Sequence, residues 1–267
     1  MNPIDPSRNS CLRQTIHFAV AENHKMTGDS RAPRCLFCRQ GIHFIPENII
    51  PEKKGKNLNG FRFYDIEGVS YPSITTVLSI QNQEGLIQWR KNVGEQAADW
   101  EARRAAIRGK QLHTIVENHL NNIDNSTQVK NVLPLGLFRL MRPYLEKIDN
   151  IKLIERVLYS KELTVAGQVD CVCDYDGKLS VIDFKSSNRW KKEEYVESYF
   201  LQTTGYATMY EELVKKKVEQ VVILIAGEDG SMTEWIKDPA SYKGSLIKAI
   251  KDFYDYFEKT QKNKKEE

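Results

Sequence analysis

Hydrophobic and polar positions alternate in FRFYDIEGVSY, which predicts a short β-hairpin that turns at Gly68. PSITTVLS follows the hairpin, and its Ser73 is a suitable N-cap, so it predicts the start of a helix. A long helical pattern extends over residues 84–120, and we expect a break at Gly94 or Gly109 because glycine weakens a helix. The part of the chain after the hairpin is therefore predicted to be mainly helical.

The second half of the chain combines strands and helices. Residues 151–186 predict three strands, and the continuous apolar run VEQVVILIA predicts a buried strand. Helices are expected over LPLGLFRLMRPYLEKI, with a kink at Pro143, and over residues 193–213 and 239–259. Together with the hairpin and the first helices, these elements predict one α/β domain over residues 61–260.

The segments outside that domain differ in composition. Residues 1–45 predict an irregular extension, residues 46–60 a linker rich in Pro, Gly, Lys and Asn, and residues 261–267 a frayed tail. The extension contains CLFCRQGIH, in which Cys35, Cys38 and His43 resemble half of a structural zinc site. The fourth ligand would be Cys11, His17 or His24. The alternative is a loosely ordered extension with unpaired thiols.

Composition limits the classes of protein. The 267 residues suffice for one sizeable core, and no segment approaches the roughly 18–20 apolar residues of a membrane span. The amino terminus lacks the apolar region of a secretory signal, and five cysteines favour a reducing compartment. We expect the cytoplasm, of a host cell if a bacteriophage encodes the chain, or alternatively the mitochondrial matrix. A net charge of +3 does not by itself indicate nucleic-acid binding.

GQVDCVCDYDGKLSVIDFKSS contains the strongest candidate chemistry. The Asp-Gly pair at 176–177 is a suitable two-residue hairpin turn, because glycine tolerates the positive φ that such turns require. With these two residues as the loop, Tyr175 pairs with Lys178. Counting outward along both strands then places Asp170 directly opposite Asp183.

Opposed carboxylates repel each other, so one must be protonated or a cation must lie between Asp170 and Asp183. Oxygen ligands at this spacing suit Mg²⁺ or Mn²⁺. Lys185 shares a face with Asp183, where it can neutralise a phosphate or orient a water. A bulge or a longer loop would change this register, and the alternative is an exposed hairpin with surface charges.

Neighbouring helices add candidate ligands and substrate contacts. His113 and Glu117 lie one turn apart on a helix face and could join the metal shell. Another stripe contains Tyr199, Gln202 and Tyr206, whose polar groups could contact a phosphate or a base. Such stripes more often belong to a core. Glu155, on the strand entering the sheet, is a further acidic candidate or a surface residue.

Basic and aromatic side chains are grouped in the helical segment. They are Trp89, Trp100, Arg103, Arg104, Arg108 and Lys110. Such a layer could arch over the sheet as a channel too narrow for a duplex, with bases stacked on aromatic rings and phosphates on basic groups. The alternative is a solvated basic helix face with the tryptophans packed in the core.

Four motifs occur in a characteristic order: His113, then G-x-V-D at 167–170, I-D-F-K at 182–185 and Q-x-x-x-Y at 202–206. This set resembles the RecB-like branch of the PD-(D/E)XK nucleases, and most closely the exonucleases of mitochondrial genome maintenance and those of that type in bacteriophages. YPSITTVLS and RGKQLH resemble the amino-terminal helices of that group. The resemblance spans residues 61–213.

The resemblance implies a restriction-endonuclease-like α/β fold, with a central mixed sheet flanked by helices in three layers. It also implies site roles. Asp170 and Asp183 would bind Mg²⁺ or Mn²⁺, assisted by His113 and the Phe184 carbonyl. Lys185 would activate the attacking water.

Further implications concern the substrate strand and a second cofactor. Gln202 and Tyr206 would position the strand. Many family members have Glu at the position of Asp183, although this branch commonly uses Asp. Several relatives bind an iron–sulfur cluster through cysteines near the carboxyl terminus. Since no cysteine follows Cys173, we expect no such cluster here.

The sequence thus predicts a metal-dependent DNA exonuclease acting on single-stranded DNA with free ends, in replication, recombination or DNA degradation. The free-end preference depends on the helical layer and on the resemblance, which implies that one strand is threaded through a helical arch. A structure-specific or site-specific endonuclease is the alternative within the enzymes. An inactive nucleic-acid binding module and a structural zinc protein are the alternatives outside them. Cleavage polarity and protein partners stay open.

Overall fold

The computed structural model describes residues 55–58, 60–125 and 131–266, with side chains described as far as residue 261. The candidate zinc ligands Cys35, Cys38 and His43 lie outside the described residues. Strands are numbered β1–β8 and α-helices α1–α6 in chain order. None of the described helices is long and apolar enough to span a membrane.

Three short antiparallel strands open the described domain. They are β1 (Gly55–Leu58), β2 (Phe61–Ile66) and β3 (Val69–Pro72), paired in the order β1-β2-β3. The predicted hairpin is β2–β3, and its turn contains Gly68 at φ +79°. Strand β1 falls within the segment predicted as a linker. All four of its residues are exposed, so no hydrophobic alternation indicated a strand there.

The helical segment consists of α1 (Ile74–Ser79), α2 (Gln83–Val93) and α3 (Glu95–Leu120). Ser73 is the N-cap residue of α1, as predicted. The helix breaks at Gly94, whose φ of +86° is accessible mainly to glycine, whereas Gly109 continues within α3. Helix α4 (Val132–Leu145) follows and contains Pro143.

Five strands form the central sheet. They are β4 (Ile148–Ser160), β5 (Val165–Tyr175), β6 (Lys178–Ser187), β7 (Gln220–Gly227) and β8 (Met232–Lys237), in that spatial order. The β6–β7 pair is parallel and the other three pairs are antiparallel. Helix α5 (Glu197–Val214) connects the parallel pair, and α6 (Lys243–Glu266) follows the sheet. The fold class, a mixed sheet flanked by helices, is confirmed. Strand β8 was not predicted.

The two faces of the sheet bury different side chains because neighbouring residues on a strand point to opposite faces. Val172 and Val181 pack towards α1, α5 and α6, together with Ile74. Cys171 and Ile182 pack on the other face, against α3 and α4. The catalytic candidates therefore lie on strands that helices cover on both sides.

Candidate active site

The β5–β6 turn fixes the strand register. Asp176 and Gly177 have φ values of +48° and +78°, as the predicted hairpin turn requires. The pairing begins at Tyr175–Lys178 and continues to Cys171–Ile182. Asp170 and Asp183 are the next residues on the two strands.

The strands stop pairing where these aspartates begin. The backbone N–H of Phe184 donates a 2.9 Å hydrogen bond to Asp170 Oδ2. From Asp183 onward, β6 continues as the parallel partner of β7. The site thus forms where β6 leaves β5, and the Asp170 side chain satisfies a backbone donor that the divergence exposes.

Glu155 lies at the same level on the neighbouring strand. The pairs Ile154–Cys171 and Arg156–Val169 bracket it, so Glu155 stands opposite Asp170 across β4 and β5. Its φ of +50° is uncommon for a residue with a side chain, and such backbone strain clusters at functional sites. Three carboxylates therefore occupy three adjacent strands at one level of the sheet.

His113 on α3 faces two of these carboxylates. Its Nδ1 lies 3.4 Å from Glu155 Oε1 and 3.6 Å from Asp170 Oδ2. One ligand atom from each of the three residues lies within 4.8 Å of the others, which is a spacing that could hold a metal ion. Gln168 Nε2 donates a hydrogen bond to Glu155 Oε2 and orients that carboxylate.

His113 and Glu155 open onto solvent through a cleft of about 390 Å³. Its lining consists of Lys110, His113, Thr114, Glu117, Glu155 and Gln168. The structure therefore places Glu117 on the wall of the same cleft as His113, one helical turn further along α3. This polar, open cleft reaches the ligand group at His113 and Glu155.

The second half of the site surrounds Asp183. Lys185 Nζ lies 2.7 Å from Asp183 Oδ1 and 2.6 Å from Oδ2. Gln202 on α5 donates from Nε2 to Asp183 Oδ1 at 2.9 Å, and its Oε1 accepts from Lys185 Nζ at 3.4 Å. Tyr206 OH accepts from the Gln202 amide at 3.4 Å. Gln202 on α5 therefore links the Asp183 carboxylate to the Lys185 ammonium, both of which lie on β6.

Helix α5 reaches this position because of a glycine. A Cβ atom on Gly167 would lie 2.8 Å from the ring of Tyr206 and 3.0 Å from Ile74. Contacts below 3.0 Å force neighbouring atoms to move. Gly167, the first residue of the G-x-V-D motif, therefore lets the helix that carries Gln202 pack directly on β5.

Burial governs the protonation of these groups. Asp170 is 8% exposed and Asp183 is fully buried. Burial raises the pKa of Asp170 to about 7, with Asp183 adding to the rise and His113 opposing it. Burial lowers the pKa of His113, but Asp170 and Glu155 outweigh it and raise that pKa to about 9. The metal-free site therefore holds protons that a cation would displace.

Lys185 and Tyr206 also respond to this field. Burial lowers the pKa of Lys185, but Asp183 and Asp170 more than compensate, so the pKa is raised and the side chain stays an ammonium. Burial and the two aspartates raise the pKa of Tyr206 well above its ordinary value. Tyr206 is therefore a neutral hydrogen-bonding group.

The residues present fit a divalent cation. Asp183 Oδ2 is buried, and the Lys185 ammonium lies 2.6 Å away. A carboxylate oxygen has more than one lone pair, so this contact leaves acceptor capacity for a metal ion. The nearby imidazole and carboxylate oxygens of His113, Glu155 and Asp170 suit Mg²⁺ or Mn²⁺.

The basic candidates have different environments. Arg108 is only 5% exposed, and its guanidinium donates to Ser186 Oγ at 3.1 Å and forms an ion pair with Glu228. Arg104 pairs with the same carboxylate. These contacts fasten α3 to the carboxyl ends of β6 and β7, whereas Lys110 is exposed at the cleft.

Other candidate residues lie close to the centre. The Lys185 ammonium lies 5.1 Å from the centroid of the Tyr199 ring, a cation–π distance. The ring of Phe184 lies edge-on to His113, with centroids 6.5 Å apart. The metal-binding role of its carbonyl stays a prediction.

Sequence reasoning missed Gln168. This residue precedes Asp170 by two positions, and residues two apart share a strand face. The spacing alone could therefore have indicated that Gln168 lies beside the carboxylates.

The chain belongs to the PD-(D/E)XK nuclease superfamily, whose family model matches residues 86–266. This match covers the five-stranded mixed sheet, helices α3 to α6 and the candidate ligands and catalytic residues from His113 to Tyr206. The resemblance drawn from the four ordered motifs is thereby confirmed, and a nuclease is the class that fold and site define.

The chain is similar to mitochondrial genome maintenance exonuclease 1 of three vertebrates. It is 27% identical to the protein of Homo sapiens over 174 residues, which cover 60% of this chain and 50% of that protein. It is 28% identical to the protein of Xenopus tropicalis over 173 residues, which cover 60% of this chain and 49% of that protein. It is 26% identical to the protein of Mus musculus over 175 residues, which cover 61% of this chain and 51% of that protein. The chain spans about half the length of these relatives.

Proposed function

We propose that this protein is a metal-dependent exonuclease that hydrolyses phosphodiester bonds of DNA, with a preference for single strands that have free ends. The observation that carries the proposal is the grouping of Asp170, Asp183 and Lys185 where β6 leaves β5. Like-charged buried carboxylates beside an ammonium and a polar cleft are arranged for a cation and a phosphate rather than for packing. The similar exonucleases support the same conclusion.

The metal would be Mg²⁺ or Mn²⁺, held by Asp170 and Asp183 with His113 and Glu155, and the Phe184 carbonyl as a further ligand. When bound, it would supply Lewis-acid polarisation of the phosphate and a water of lowered pKa. Lys185 would stabilise negative charge that develops on the phosphoryl oxygens, because its ammonium stays charged beside Asp183.

The α5 residues would position these groups. Gln202 bonds to both Asp183 and Lys185, so it fixes the distance between the metal ligand and the ammonium. Tyr206 supports Gln202 from the next turn of the helix. Glu117 and Lys110 line the cleft through which the phosphate backbone would enter, and Lys110 supplies a positive charge there.

Surface features of α2 and α3 support a single strand as the substrate. Trp89 is 38% exposed and Trp100 is 60% exposed, so both rings are available for base stacking. Arg104 lies over the Trp100 ring at 5.6 Å. The Arg108 side chain, in contrast, is used within the chain. We therefore assign the contacts with DNA to the exposed aromatic and basic groups and a structural role to Arg108.

The proposed setting is DNA replication, recombination or degradation, in the cytoplasm or in the mitochondrial matrix. A structure-specific endonuclease uses the same carboxylate chemistry and differs in its need for an end. An inactive binding module would retain DNA binding without turnover. The N-terminal zinc site stays a separate prediction and no catalytic role is assigned to it.

The test compares linear single strands, covalently closed single-stranded circles and linear duplex of the same sequence, each with Mg²⁺, Mn²⁺ or a chelator. We expect metal-dependent degradation of the linear strand, slower degradation of the duplex, and intact circles. Asp183→Asn serves as the inactive control. Rapid cutting of circles would establish the endonuclease instead, and DNA binding without hydrolysis under every metal condition would establish the inactive module.

A further inference from the structure

The segment that follows β6 is a short basic and aromatic loop, Asn188-Arg189-Trp190-Lys191-Lys192, here called the NRWKK loop. Trp190 is 52% exposed, and Arg189 and Lys192 are also exposed. The NRWKK loop begins three residues after Lys185. A large ring placed between positive charges is the composition that single-strand binding surfaces use.

Neighbouring elements hold the loop backbone. The N–H of Trp190 donates to Asp229 Oδ2 at 2.9 Å, and Ser187 Oγ donates to the Arg189 carbonyl at 2.7 Å. Asn188 Oδ1 accepts from the buried guanidinium of Arg108 at 2.5 Å. Hydrogen bonds therefore hold the backbone at Arg189 and Trp190 and the side chain of Asn188, while the Trp190 ring stays exposed.

The loop is connected to the reacting groups through Tyr199. Lys191 Nζ donates to Tyr199 OH at 3.1 Å and lies 5.4 Å from the centroid of its ring. Lys185 Nζ lies 5.1 Å from the same centroid. One ring on α5 thus joins the ammonium proposed for catalysis to the ammonium of the loop, so the NRWKK loop lies immediately beside the proposed reaction centre.

We propose that the NRWKK loop binds the nucleotides next to the scissile phosphate, with a base stacked on Trp190 and neighbouring phosphates on Arg189 and Lys191. This inference rests on the proposed function, since it places the loop on the path of the same strand. Stacking accepts any base, because every base has a π face, so the loop would favour an unpaired strand without selecting a sequence. Paired bases are stacked within the duplex and cannot present that face to the ring.

The charges around the loop favour a single-stranded nucleic acid as its occupant. Lys192 Nζ lies 3.9 Å from Glu194, and both side chains are about two-thirds exposed, so this pair is weak. The chemistry fits a single-stranded nucleic acid better than an acidic protein surface, because a protein partner needs no free aromatic face between the cations. A protein partner is the competing outcome of the test.

The experiment measures binding of a fluorescein-labelled oligothymidylate to the full chain by fluorescence anisotropy, with chelator present so that no cleavage occurs. We expect Trp190→Ala to weaken binding roughly tenfold and Trp190→Phe to stay within about threefold of wild type. Lys191→Ala should lower the slope of log K against log salt concentration by about 0.7, the value for one phosphate on a single strand.

Lys217→Ala is the matched charge control. Lys217 is exposed near the amino end of β6, whereas the loop follows the carboxyl end, so this variant should keep the wild-type salt slope. Melting temperatures of the Trp190 variants should match the wild type, because the ring is exposed.

Wild-type affinity in Trp190→Ala would overturn the inference and redirect the exposed ring to a protein partner. Equal losses of affinity in Trp190→Ala and Trp190→Phe, with a lowered melting temperature in both, would show that the ring is structural and would also overturn it. Failure of the proposed nuclease activity would give a result different from failure of the proposed loop site. Binding that depends on Trp190 without hydrolysis under any metal condition would remove the catalytic proposal and leave the loop as a strand-binding site.

Discussion

The amide of Gln202 donates a 2.9 Å hydrogen bond to Asp183, from a helix that begins ten residues after β6 ends. The same side chain accepts from Lys185, so it fixes two charged groups that lie two residues apart on the strand. A polar residue on an otherwise buried helix face is thereby explained. Removal of the Gln202 side-chain amide should therefore lower activity, whereas removal of a core side chain would lower stability.

We expect Gln202→Leu to lower kcat by about tenfold to a hundredfold. The substitution removes the amide that donates to Asp183 and accepts from Lys185, and it keeps the approximate volume of the side chain. The melting temperature should change little. Thr208→Val, a buried polar-to-apolar change on the same helix, is the control and should keep full activity. Steady-state kinetics and thermal melting of both variants provide the measurement. Wild-type kcat in Gln202→Leu would exclude a positioning role.

Asp170→Asn should abolish turnover and metal binding together. Removal of one carboxylate lowers the charge of the ligand set, and the amide is a poorer ligand for a hard cation. Metal titration monitored by the melting temperature gives the readout, because a ligand that binds only the folded state raises stability. We expect Mn²⁺ to raise the melting temperature of wild type but not of Asp170→Asn. An equal rise in both would place the metal elsewhere.

Lys185→Ala should lower kcat by about a thousandfold or more while the metal still raises the melting temperature, because the lysine stabilises charge on the phosphate and is not a ligand. Lys191→Ala is the matched control for a lysine near the same tyrosine, and it should affect KM more than kcat. Single-turnover cleavage at saturating DNA separates the two effects. If Lys185→Ala lost metal binding as well, the lysine would be acting through the ligand set.

The metal-free protein should lose stability as pH rises through about 7. The folded-state pKa of Asp170 is raised to about 7, so its contribution is complete below the unfolded value of about 4 and is lost on ionisation. The raised pKa of His113, about 9, acts in the same direction at higher pH. Melting temperatures with chelator between pH 5 and about 9 should decline, and Asp170→Asn should flatten the decline. A wild-type melting temperature that rises over this range would contradict the raised pKa of Asp170.

Arg108→Met should destabilise the fold by about 3 kcal/mol, because it breaks a buried ion pair and leaves the Glu228 carboxylate with only Arg104. The exposed Arg103 on the same helix is the control, and Arg103→Met should change the free energy of unfolding by less than about 0.5 kcal/mol. Denaturant unfolding measures both. Equal stability of the two variants would show that the ion pair does not fasten α3 to the sheet.

The sequence by itself determined the local geometry of the site. The Asp176-Gly177 turn fixes the pairing of β5 with β6, and a fixed turn sets the register of everything that follows along the two strands. The same periodicity placed Asp183 and Lys185 on one face and predicted the strands that hold them. These inferences succeeded because they depend on contacts between residues close in sequence.

Tertiary structure decided the rest. Glu155 was indistinguishable from a surface residue because its partner, Asp170, is reached only when β4 pairs with β5. Arg108 was one of several basic residues on a helix, and only the end of β7 supplied Glu228 and made it a buried structural group. Strand β8 and the exposed β1 gave little hydrophobic alternation of their own. In each case the environment of the residue comes from elements far away in sequence, so no local pattern records it.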